Sequence, residues 1–83
     1  MKAIWIAEVY RMSQDDWHTV EVFADREEAK DFITEEAASY AAAEGFEGKS
    51  EVTFVPNEHG THFTVMTGFN SDFAAYLKSG VIR

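Results

Sequence analysis

Residues Lys2 to Met12 are apolar on both alternating faces, and no other stretch constrains the fold as much. Ile4, Ile6, Tyr10 and Met12 fall on one face of an extended segment, and Ala3, Trp5, Ala7 and Val9 on the other. A strand that buries both faces belongs inside its sheet, with a neighbour on each edge. The chain that must supply those neighbours has only 83 residues, which predicts one domain over residues 1–83. A core of that size leaves roughly 3–5 kcal/mol of net stability. There is no cysteine, so disulfides and thiolate zinc sites cannot reinforce it. The domain must stand on packing, for which an apolar fraction of 46% suffices, or on association. The missing cysteines also fit a cytoplasmic setting.

The first neighbour follows at once. Ser13-Gln14-Asp15-Asp16 is a polar turn cluster, and Trp17 to Phe23 alternates as a second strand. Asp25 then caps a helix, with Glu28 at the position of a capping-box acid. Ala29, Phe32, Ile33, Ala37, Tyr40 and Ala41 recur at helical spacing, and the helix runs to about Glu44. Gly45 suits the left-handed C′ position, with Phe46 folding back on the helix. Ser50 to Val55 and Thr61 to Thr67 read as two more strands around the turn Pro56 to Gly60. Asn70 or Ser71 caps a short second helix, in which Phe73 and Leu77 pack at i, i+4 and Gly80 ends the run. The expected architecture is α+β with the order ββαββα. Its four-stranded, mostly antiparallel sheet carries the long helix across one face. The second face, with Trp5 and Val9, is left for the C-terminal helix or a partner to cover.

Charge narrows the function. Fifteen acids against seven bases give −8, and residues 25–51 hold nine of the acids. Such a surface repels phosphate backbones and anionic membranes, so direct nucleic-acid and membrane binding are not expected. The opening apolar stretch breaks at Glu8, too soon for a signal-peptide core, and no run reaches the ~18 apolar residues of a spanning helix.

Candidate chemistry is sparse. His59 and His62 form an H-x-x-H pair beside Glu58, but the pair straddles a turn and a strand and has no evident third ligand. His18 lies near Ser13, Asp15 and Asp16, yet nucleophilic triads are assembled from distant segments, and no G-x-S-x-G accompanies it. The paired carboxylates sit on an exposed helix face, where nothing raises their pKa for acid–base work. The five glycines are scattered and form no phosphate loop. The aromatic residues lack the basic neighbours of an RNA-binding sheet. No catalytic residue, metal or cofactor is therefore expected.

One feature reads positively. Glu27, Asp31 and Glu35 recur at i, i+4, i+8, with Glu28 flanking them. Successive carboxylates rise ~6 Å per step, close to the spacing of phosphates along one nucleic-acid strand. Such a row can mimic nucleic acid and occupy a basic groove on another protein. A solvated amphipathic helix needs a charged outer face in any case.

The passage Trp17 to Ile33 joins a strand ending Val22-Phe23 to the capped start Asp25-Arg26-Glu27-Glu28-Ala29 and to Phe32-Ile33. Together with the opening Met1-Lys2-Ala3-Ile4-Trp5-Ile6, it resembles the small acidic α+β proteins of phages and other mobile elements. Some of those are anti-CRISPR or other anti-defence proteins. The resemblance covers the first 40 or so residues and carries over no functional residue. It implies a host-directed binding protein, acting in the host cytoplasm if the chain is phage-encoded. Taken with the acidic stripe, the leading expectation is a non-enzymatic protein that blocks a host factor with a basic surface through Glu27, Glu28, Asp31 and Glu35. Two alternatives stand beside it. One is a homo-oligomeric module joined through edge strands or the Trp5 face. The other is a small-molecule or metal-dependent activity at His18, His59 and His62.

Overall fold

A computed structural model describes residues 2–11, 17–45, 51–68 and 73–82. Five strands and one helix follow in the order β1 (Lys2–Arg11), β2 (Trp17–Phe23), α1 (Arg26–Glu44), β3 (Thr53–Pro56), β4 (His62–Met66) and β5 (Phe73–Ile82). All neighbouring strands are antiparallel, in the spatial order β2-β1-β5-β4-β3. β1 is internal, as its two apolar faces require. β2 flanks it from Trp5↔Phe23 to Arg11↔Trp17, and β5 from Lys2↔Ile82 to Arg11↔Phe73.

The C-terminal segment corrects the expected ββαββα order. It is not a helix packed on a four-stranded sheet but a ten-residue strand at the centre of a five-stranded one. The reason lies in the spacing. Phe73 and Leu77 stand four apart, which satisfies a helical stripe and a strand face equally well. Ala75 separates the two readings, because in a helix it would point away from the Phe73–Leu77 side. It is buried, as are Phe73 and Leu77, while Tyr76 is exposed. Alternation of this kind is the mark of a strand. The proposed caps Asn70 and Ser71, the Ser13–Asp16 turn and Phe46 lie outside the described residues.

The helix spans the expected residues with Asp25 and Gly45 at its ends, but Asp25 caps it through the Glu27 N–H rather than in a capping box with Glu28. Asp25 is extended at φ −122°, and its carboxylate accepts a hydrogen bond from the Glu27 N–H at 3.1 Å. At the other end Gly45 takes φ +79° and donates its N–H to the Ala41 carbonyl. That left-handed conformation favours glycine. Ala29, Ile33, Ala37, Tyr40 and Ala41 are buried against the sheet. They cover the face carrying Trp5, Ala7 and Val9, so the long helix does what a second helix was expected to do. Phe63, Val65, Phe73, Ala75 and Leu77 complete the core. Ring pairs tie the layers together: Tyr40 lies 5.4 Å from Phe73, and Phe32 lies 5.5 Å from Phe23. Arg11 reaches from the end of β1 to the Glu36 carboxylate and lies over the Tyr40 ring.

The β3–β4 hairpin is shorter than expected, Thr53–Pro56 and His62–Met66. Asn57 holds its turn, its side-chain oxygen accepting from the N–H groups of Thr61 at 2.9 Å and His62 at 3.2 Å. Gly60 supplies the positive φ of +67°.

The two periods make opposite predictions for adjacent alanines. Ala75→Asp places an unpaired charge in the core and should lower the unfolding free energy by about 3 kcal/mol or more. Ala74→Asp, on the other face, should cost about 1 kcal/mol or less. Urea unfolding of the two variants at low protein concentration measures the difference.

Candidate binding face of the sheet

With α1 on one side, alternation leaves the other side of the sheet uncovered by any described element. Cross-strand register arranges its side chains in rows. Val20, Glu8, Tyr76, Thr64 and Val55 run across all five strands, and Val22, Ile6, Lys78 and His62 form the row beside them. Tyr10 stands between His18 and Ala74 in the next. Val20, Val22, Val55, Met66 and Tyr76 are 44–55% exposed here. They are five of the six large apolar side chains most exposed among the described residues; the sixth, Val81, lies at the sheet end on the other face. Ile4 and Ile6 are half-buried because they close over Gly80, where a Cβ would come within 3.3 Å of the Ile6 side chain.

One polar cluster interrupts this surface at its centre. Glu8 is only 17% exposed and accepts from Lys78 Nζ at 2.7 Å and from the Tyr10 hydroxyl at 3.0 Å. His18 Nε2 lies 3.7 Å from the same carboxylate, and its ring stacks on Tyr10 with centroids 4.1 Å apart and planes within 6°. Tyr76 meets Tyr10 edge to face at 6.1 Å. The hydrogen bond from Lys78 holds the Glu8 carboxyl below its ordinary range, against the opposing effect of burial and with help from Tyr10. The same carboxylate, through its hydrogen bonds, raises Tyr10 and Lys78 above theirs. General acid catalysis needs a carboxyl pushed the other way. A groove of 170 Å³ opens beside Tyr76, lined by Thr64, Met66 and Ala74. Small-molecule sites run to ~300–1,000 Å³, so this groove is too small to be one.

The acids picked out by the sequence lie in the other layer. Glu27, Glu28, Asp31 and Glu35 are all exposed on α1. Glu27 is engaged by Arg26 at 3.5 Å and Lys30 at 3.7 Å. Glu28, Asp31 and Glu35 make no ion pair among the described residues. Arg26 and Lys30 lean inward over the rings of Trp5, Phe54 and Phe63, which leaves the outer surface of the helix acidic. The histidines do not come together as a site. His59 is on the β3–β4 turn, 3.2 Å from Glu58, and His62 is on β4. Ser13, Asp15 and Asp16 lie outside the described residues, and His18 faces Glu8 and Tyr10. Among the described residues no group of three His, Asp or Glu side chains could hold a metal ion, and no helix is long and apolar enough to cross a membrane.

Glu8, Tyr10, Tyr76 and Lys78 escape a reading of the sequence by segments. The available signal is Glu8 itself, a carboxylate inside an otherwise apolar strand, which needs a cationic neighbour on the same face. Comparison of the chain with protein-family models, with curated proteins and with solved structures finds no match to any of them.

The lowered Glu8 pKa has a stability consequence of definite sign. Folding holds the carboxylate ionised, so the stabilisation is present above the unfolded-state pKa and is lost as pH falls through the lower folded-state value. Glu8→Gln should therefore melt below the native protein at pH 6–7, with the gap closing toward pH 3. Thermal unfolding across that range tests this; a constant gap would mean that the Glu8 charge does not act on stability.

Proposed function

We propose that this chain is a non-enzymatic protein-binding module whose interaction surface is the open face of the sheet. The observation that carries the reading is the gathering of Val20, Val22, Val55, Met66 and Tyr76 on that one face. Exposed apolar side chains scattered singly need no explanation, but five gathered on one face, Val20 and Val22 on one side of the Glu8 cluster and Val55 and Met66 on the other, mark that face as an interaction surface. The polar centre fits binding better than catalysis. Glu8 is occupied by Lys78 and Tyr10 and is held ionised, which fixes the surface and removes Glu8 as a proton donor.

A second reading rests on the helix layer. Glu28, Asp31 and Glu35 are exposed and make no ion pair among the described residues, and such a row attracts a basic protein surface. In the setting implied by the resemblance to phage proteins, that surface would belong to a nucleic-acid-handling host complex in the cytoplasm.

Capture from host-cell lysate with three immobilised proteins separates the readings. The double variant Val20→Lys/Val22→Lys should lose captured partners at both low and high salt, while Glu28→Gln/Asp31→Asn/Glu35→Gln retains them. Capture lost with the helix variant, and released from the native protein by salt, would move the interface to α1. No specific capture by the native protein would remove the heterologous partner altogether.

A further inference from the structure

We propose that the open sheet face is covered by a second copy of this chain, packed sheet against sheet about a two-fold axis; this rests on the reading of that face as an interface.

Size is the first argument. Strands of ten, seven, four, five and ten residues form the face. At ~3.4 Å per residue and ~4.8 Å between strands they span about 600 Å². Two such faces bury about 1,200 Å², which reaches the lower bound of specific, stable interfaces.

Charge supplies the choice of partner. A chain of net −8 should repel its own copy. Here the repulsive charge is segregated from the face. Glu27, Glu28, Asp31 and Glu35 lie on the helix, behind the sheet. The described charged residues of the open face are Lys2, Glu8 and Lys78, which carry no negative excess. A basic partner is therefore drawn to the helix layer, and the sheet face suits a partner that is apolar and nearly neutral, as the face itself is. Packed face to face, the two acidic helices end on opposite outer surfaces. The sheets alone stand ~10 Å apart, which already exceeds the ~8 Å screening length at physiological salt.

The centre of the face is also prepared for burial. The Glu8 charge is paired within its own copy by Lys78 and hydrogen-bonded by the Tyr10 hydroxyl. β5 is the middle strand of the five, and Tyr76 projects from it between Glu8 and Thr64. A two-fold axis through the centre of the sheet brings the Tyr76 rings of the two copies together as an aromatic anchor, with Val20 and Val22 on the β2 side and Val55 and Met66 on the β3–β4 side completing the contact.

Sedimentation equilibrium of the full chain from about 1 to 500 µM tests the proposal. The expected result is a concentration-dependent rise from the mass of one chain to that of two, with a midpoint that salt leaves within about threefold. Tyr76→Asp and Val22→Glu should each raise the dissociation constant by at least about 30-fold, with circular dichroism unchanged; Glu28→Gln/Asp31→Asn/Glu35→Gln should not raise it. Amide shifts that move with concentration should map to β1, β2, β4 and β5, which keeps the test open if a variant misfolds. A native protein that stays monomeric throughout overturns the proposal, and so does a dimer broken by the helix variant alone. If the native protein is monomeric but Val20→Lys/Val22→Lys still abolishes lysate capture, only the second copy is excluded. If that variant also captures normally, the reading of the face as an interface falls too.

Discussion

Ten consecutive residue pairs, from Lys2↔Ile82 to Arg11↔Phe73, join β1 to β5 and form the spine of the sheet. Every other element is placed by reference to that ladder. β2 extends it on one side and the β4–β3 hairpin on the other. The inward side chains of the two spine strands, Ala7, Val9, Phe73, Ala75 and Leu77, make the floor on which α1 rests. Two alanines among them let the helix approach closely, and Tyr40 and Phe73 fill the volume that remains. The same ladder fixes the outer surface. Glu8, Tyr10, Tyr76 and Lys78 belong to two strands far apart in sequence, and only the register brings them into one cluster.

The result is a molecule with two unlike sides. Arg26 and Lys30 turn their charge inward over aromatic rings, so the helix presents its carboxylates outward. The sheet gathers exposed apolar side chains around a neutralised centre. The exposed acids lie on the helix layer, while the described charged residues of the opposite face, Lys2, Glu8 and Lys78, carry no negative excess.

Local signals in the sequence were decisive where one element determines its own structure. The alternation of Trp17 to Phe23, the Asp25 cap, the stripe from Ala29 to Ala41 and the glycine at position 45 each have a physical cause within a few residues, and each element stands where those causes put it. The internal position of β1 was equally legible, from two apolar faces alone. The Phe73–Ile82 strand was not. Its residues include Ala74, Ala75, Leu77 and Lys78, all good or adequate helix formers, and the Phe73–Leu77 interval serves both periods. Tertiary pairing with β1 decided the matter, as it commonly does for strands. The open face was hidden for the same reason, since half of its central cluster, Tyr76 and Lys78, sits on the misread strand. The helix acids were found because their spacing is local, and the Glu8 cluster was missed because its spacing is not.

The spine also orders events in time. β1 is the first element of the chain and β5 follows all the others, so more than sixty residues separate Arg11 from the Phe73 it pairs with. During synthesis β1 can join β2 and receive α1 long before its second edge is satisfied. For that interval a ten-residue apolar strand presents unpaired N–H and C=O groups on one side. Contacts this distant in sequence also close late, after the entropy of a long loop has been overcome. The internal position that pairs β1 on both edges of the finished sheet leaves one of those edges open until residues 73–82 arrive.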